Sequence, residues 1–191
     1  MKSPACLKKL DDLLDQSVHY AEFCFRNSGV MAPTLFLLGC EGPMILVPHR
    51  LATEDDKDQF VGLARLVCLA YDATACVMAT ESWLKLARPG EVLDLTEPPS
   101  EAVDRQEMVV LMGEDRSGPR QRFLKIIRSD NGKFFNLSPA VIPQVDNVSG
   151  RFAQILPPHA PDFQMQSLAR AVLKTKKATV VRLNVSPRRK R

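Results

Sequence analysis

The sequence predicts an α+β fold: a mainly antiparallel sheet of about five to six strands with helices packed against it. Three observations carry this. Apolar residues recur at helical spacing near both ends and once between. Two Gly-containing turns sit between short apolar runs, the mark of hairpins. The run Thr74 to Leu86, TACVMATESWLKL, is apolar on both faces over Ala75–Ala79, which reads as a strand covered on both sides.

The elements follow in order. Ser3-Pro4 opens a first helix, with Ser3 as cap and Pro4 at the first helical position. Leu7, Leu10, Leu14, Val18, Ala21 and Phe25 form its apolar stripe, and Gly29 stops it. Thr34–Leu38 and Met44–Val47 flank GCEGP and read as a hairpin. Thr53 followed by Glu54, Asp55 and Asp56 is a helix start, the carboxylates lying at the positive end of the helix dipole. Phe60, Leu63, Ala64, Val67, Ala70 and Tyr71 give that helix its buried face, and Leu66, Cys68 and Leu69 widen it. A sandwiched helix is expected.

After the central strand, Ala87–Asp104 reads as a long loop with Pro89-Gly90 and Pro98-Pro99, a candidate functional segment. Strands are predicted over Arg105–Gly113, Arg120–Arg128 and Lys133–Leu137, the last two joined by the Asn131-Gly132 turn. Residues 138–161 hold five prolines and read as an irregular connection around the body. A last helix is expected over Gln164–Lys177, then TVVRLNV as an edge strand or arm and SPRRKR as a free end. The boundaries are one domain over residues 1–177 and a basic tail over 178–191.

This order of elements resembles that of roadblock and profilin-like domains, over roughly residues 4–177. The resemblance implies helices on both sides of a five-stranded antiparallel sheet. It rests on element order alone and implies no activity.

Composition bounds the functional classes. With 191 residues and 45% apolar content the chain can bury one sizeable core. No apolar run reaches the ~18 residues of a membrane span, and MKSPACLKKLDD lacks the apolar stretch of a secretory leader. A cytoplasmic protein with no membrane contact is expected. Cys6, Cys24, Cys40, Cys68 and Cys76 are scattered in apolar contexts without a CxxC pair, so free thiols are expected rather than a zinc site. The net charge of +4 is uneven. From Phe163 onward there is no acid and nine basic residues, leaving 17 basic against 22 acidic groups before it.

Glu81 closes one strand, while Asp104 and Glu107 open the next. Antiparallel pairing would bring the three to one end of the sheet. There they could hold Mg²⁺ or Mn²⁺, or supply a general acid, with His49 as partner acid or base. The structural alternative is that Arg105, Arg50 or Lys85 neutralises them. No GxSxG, HExxH, Walker or dinucleotide pattern occurs, so no cofactor is expected.

The first functional reading is a small non-enzymatic interaction protein. It engages a protein partner through Trp83, Arg105 and the loop beside them. Lys174, Lys176, Lys177, Arg182, Arg188, Arg189, Lys190 and Arg191 form a basic arm suited to DNA or RNA phosphates. The alternative is a metal-dependent hydrolase or nuclease on Glu81, Asp104, Glu107 and His49. A purely solubilising tail is the plain reading of the arm.

Overall fold

The structure is a computed structural model that describes residues 9–48, 51–85, 96, 98–140, 142, 151–175 and 180–182. Helix α1 spans Leu10–Ser28, followed by strands β1 (Thr34–Gly39) and β2 (Gly42–Leu46). Helix α2 covers Glu54–Ala70. Strands β3 (Ala75–Leu84), β4 (Gln106–Asp115), β5 (Gly118–Arg128) and β6 (Phe134–Pro139) follow, then α3 (Phe163–Thr175) and β7 (Val180–Arg182).

The sheet is wholly antiparallel in the order β6-β5-β4-β3-β1-β2-β7. It has seven strands where five to six were expected. The addition is β7, whose backbone pairs with Met44–Leu46 and carries the sheet past residue 177. The apolar run Ala75–Ala79 lies in β3, the middle strand of the seven, as its two-faced hydrophobicity requires.

Side-chain alternation divides the core. On one face Phe36, Val77, Ala79, Val109, Leu111, Leu124 and Ile126 pack beneath Leu10, Leu13, Leu14, Ala21 and Phe25 of α1. On the other, Leu35, Leu37, Cys76 and Met78 meet Phe60, Ala64, Val67 and Cys68 of α2. Helix α3 packs against α2 through Ala169 and Leu173, so α2 is sandwiched as expected.

Local chemistry explains the boundaries. Thr53 caps α2 by accepting from Asp56 N–H, and Asp56 accepts from Thr53 N–H, a full capping box. Gly29 ends α1 at φ 77°, a left-handed conformation that glycine adopts without strain. The β1–β2 hairpin turns on Cys40-Glu41 alone, tighter than the sequence suggests. The β5–β6 hairpin turns at Asn131-Gly132, with Gly132 N–H donating to the Ser129 carbonyl. The segment after residue 150 does wrap the body: Glu114 accepts from Ile155 and Leu156 N–H, and Arg65 donates to the Gln154 carbonyl.

Four cysteines, Cys24, Cys40, Cys68 and Cys76, are free. Cys6 lies outside the described residues, and α1 begins at Leu10 after an extended Lys9, not at Ser3-Pro4 as expected. Among the described residues no helix is long and apolar enough to cross a membrane.

Candidate functional site

Antiparallel pairing brings together the end of β3, the start of β4, the end of β5 and the start of β6. The C-terminus of α1 lies on the same face. Trp83 is the direct partner of Glu107, and Glu81 stands opposite Val109. With a period of two, Glu81 and Trp83 share the α1 face with Val77 and Ala79, and Glu107 shares it with Val109 and Leu111.

Glu81 and Glu107 do converge, and Arg128 of β5 bonds Glu107 and lies within electrostatic reach of Glu81. Its Nε donates to Glu107 Oε2 at 2.7 Å, and its Nη2 donates to Glu107 Oε1. The same Nη2 reaches the Gly29 carbonyl at 3.3 Å. Glu81 Oε2 accepts from Met31 N–H at 2.9 Å. The cluster thus ties the chain leaving α1 to three strands of the sheet. Burial pushes the Glu81 carboxyl above the ordinary glutamate range, and the neighbouring Glu107 charge adds to it. The Met31 N–H and the Arg128 charge act the other way. Arg128, bonded to Glu107, holds its proton more tightly than usual.

Asp104 does not join them. It is exposed in the turn before β4, and the charges acting on Glu81 are Glu107 and Arg128. Among the described residues no group of three or more His, Cys, Asp or Glu could hold a metal ion. Both Glu107 oxygens accept from Arg128, which supplies the neutralising charge a metal ion would otherwise bring. His49 and Arg50 lie outside the described residues.

Arg105 turns to Trp83 instead of to the carboxylates. Its guanidinium lies over the indole at 4.7 Å from the ring centroid, and Nη1 donates to the Ser100 carbonyl. The segment holding it is built: Glu101 N–H bonds the Pro98 carbonyl, Arg105 N–H bonds the Ala102 carbonyl, and Ala102 is buried. Trp83 remains 40% exposed. Val30, which precedes Met31, and Val103, Phe135 and Arg26 are exposed toward the same end of the sheet, Phe135 three strands away on β6. Arg26 lies over Phe134, which stacks on Phe25.

The basic residues divide. Arg182 pairs with Glu41, which also meets Arg170 at 3.4 Å. Lys174 is exposed on the last turn of α3. Lys176, Lys177, Arg188, Arg189, Lys190 and Arg191 lie outside the described residues. A groove of about 1370 Å³ runs along the first half of β5, between Leu14 and Val18 of α1 and Leu156-Pro157. It excludes the Trp83 end, and its charges are largely matched, as Arg120 bonds Asp11 and Arg122 bonds Asp15.

Sequence reasoning misses Arg128 and the Gly29–Met31 segment. Only the register of β5 on β4, and the docking of α1, bring them to the carboxylates. Compared with family models, curated proteins and solved structures, the chain matches none. The likeness to roadblock and profilin-like domains stays one of element order, with helices on both faces of an antiparallel sheet.

Proposed function

We propose that this chain is a small non-enzymatic interaction protein that grips a protein partner with the Trp83 end of its sheet. The observation that carries the reading is a half-exposed Trp stacked under an Arg on a braced platform. Trp and Arg are among the side chains that most often anchor interfaces. Val103, two residues before Arg105, is exposed beside them. The basic C-terminal residues would add separate affinity for a polyanion such as DNA or RNA. The metal-dependent hydrolase reading has less behind it, since the Glu81–Glu107 pair is occupied by Arg128 and by backbone N–H.

The test is site-specific photo-cross-linking in the producing cell, with the cross-linker at Val103 and a control at Gln59 on α2. A discrete protein adduct is expected from position 103, lost on Trp83→Ala and absent from position 59. Adducts that ignore Trp83→Ala would count against the reading. Trp83 is the sole Trp, so its fluorescence also reports the site alone. Saturable quenching by micromolar Mn²⁺ would move the balance to the metal-dependent enzyme.

A further inference from the structure

The first half of β5 has a neighbour on one side only. Toward β4 the ladder continues down to the Asp115–Gly118 pair. Toward β6 it reaches Leu124, which faces Pro139, and ends where the Ala140 N–H donates to the Phe123 carbonyl at 2.9 Å. Among the described residues no strand pairs with the outer side of Gly118–Arg122.

That last bond fixes which main-chain groups are left over. In an antiparallel ladder both main-chain groups of a residue face one neighbour, and those of the next residue face the other. Phe123 faces β6, so Gln121 and Pro119 face the same outer side. The Gln121 N–H, the Gln121 carbonyl and the Pro119 carbonyl therefore point away from β4, in strand register. Pro119 has no N–H to offer, and a Pro on an edge works against the joining of whole sheets there.

The groove of about 1370 Å³ lies on this edge. Its lining includes Arg120 and Arg122, which share the α1 face with Leu124, and also Gln121 and Phe123, which alternate to the other face. A space that touches both sets wraps the edge of the strand. Leu14 and Val18 of α1 wall it on one face of the sheet, and Leu156 and Pro157 wall it on the other. The charges beside these apolar walls are matched. Arg120 bonds Asp11, Arg122 bonds Asp15, and Glu114 accepts from the Ile155 and Leu156 N–H.

We infer that this trench takes an extended, uncharged segment of a partner protein, about five residues long, which adds as a strand beside Gly118–Phe123. Outward main-chain groups in strand register select an extended peptide, because its own N–H and C=O groups repeat at the same spacing. Two bonds to Gln121 and one to Pro119 hold it. Its side chains alternate between the Leu14–Val18 wall and the Leu156–Pro157 wall, so apolar residues suit both directions. The matched charges offer nothing to a charged segment. Walls on both faces leave room for one strand and not for the edge of a second folded sheet with its own layers. The site is separate from the Trp83 end, which the groove excludes.

Amide hydrogen exchange on the full chain, read by NMR, is the first test. With no peptide added, the Gln121 N–H should exchange at least about tenfold faster than those of Arg120 and Arg122, which face β4. Equal protection at the three positions, or protection of Gln121 that rises with protein concentration, would mean that the chain or a second copy already covers the edge, and would overturn the inference. The second test selects a phage-displayed library of random peptides of about twelve residues on the full chain. The selected peptides are expected to share an uncharged apolar core without Pro and to protect the Gln121 N–H. Methylating their core N–H groups one at a time should weaken binding at every second residue, by at least about tenfold, the effect of one lost hydrogen bond. Gln121→Pro removes an outward N–H and none that faces β4. It should leave the circular dichroism unchanged and weaken binding by a similar factor, while Trp83→Ala should not alter binding. An empty selection, methylation effects without alternation, or binding that survives Gln121→Pro would overturn the inference.

Discussion

Glu81 holds its proton more tightly in the folded protein than in the unfolded chain, because it is removed from water beside a second carboxylate. Between the unfolded value, about 4.3, and the higher folded value, the native state binds more protons than the unfolded state. Stability contributed by the group is therefore present in acid and lost as pH rises through that window. Glu81→Gln keeps an oxygen for Met31 N–H and turns an amide N–H toward Glu107, with no charge to bury. It should melt about 2 °C higher than the parent at pH 8, and the gap should close by pH 4, as read by thermal scans across that range. Half of this cluster is legible in the sequence. Glu81 and Glu107 end and begin consecutive strands, so antiparallel pairing has to bring them close. Asp104 reads as their neighbour for the same reason, but it stands before β4 begins, where no pleat directs it inward. Arg128 is hidden because its partner depends on the register of a third strand, disturbed by an irregularity at Ile127/Arg128.

The β1–β2 hairpin shows how closely elements can approach. A Cβ on Gly39 would lie 2.7 Å from Met44 Cε and 2.7 Å from the Tyr71 carbonyl oxygen. Met44 Cε can swing away, but the Tyr71 carbonyl is fixed, since it accepts Cys40 N–H at 2.8 Å where α2 ends. Gly39→Ala should therefore cost about 2 kcal/mol through overpacking, seen as a lower urea midpoint with an unchanged slope. The features readable in advance are those whose causes are local. The Thr53 cap, the Gly29 stop and the Asn131-Gly132 turn each follow from a few adjacent residues. The docking of β7 on β2 is of another kind, because TVVRLNV alone contains nothing that chooses between a strand and an arm. The choice is made by Met44–Leu46, far away in sequence, and by Glu41, which receives Arg182.

Strand β7 and the Trp83 surface lie toward opposite ends of the sheet. Val180 pairs with Leu46 and Arg182 with Met44, so β7 runs toward the Cys40-Glu41 turn and away from Trp83. Over the ten residues of β3 the ends are about 30 Å apart. A polyanion held at Arg182 would therefore leave the Trp83 surface open. Two truncations separate folding from charge. Deleting 180–191 removes β7 and the Arg182–Glu41 pair and should lower the melting temperature. Deleting 186–191 removes four cations and no large apolar side chain, so the melting temperature should not change. Binding of that shorter deletion to single-stranded DNA should weaken, because every phosphate that is no longer neutralised keeps its condensed counterion. The slope of log affinity on log salt should fall by about 0.7 for each such phosphate. Equal binding by the full chain and the 186–191 deletion at low salt would make the terminal cations a solubility feature. Of these two regions, the Trp83 surface alone would then remain as a route to a partner.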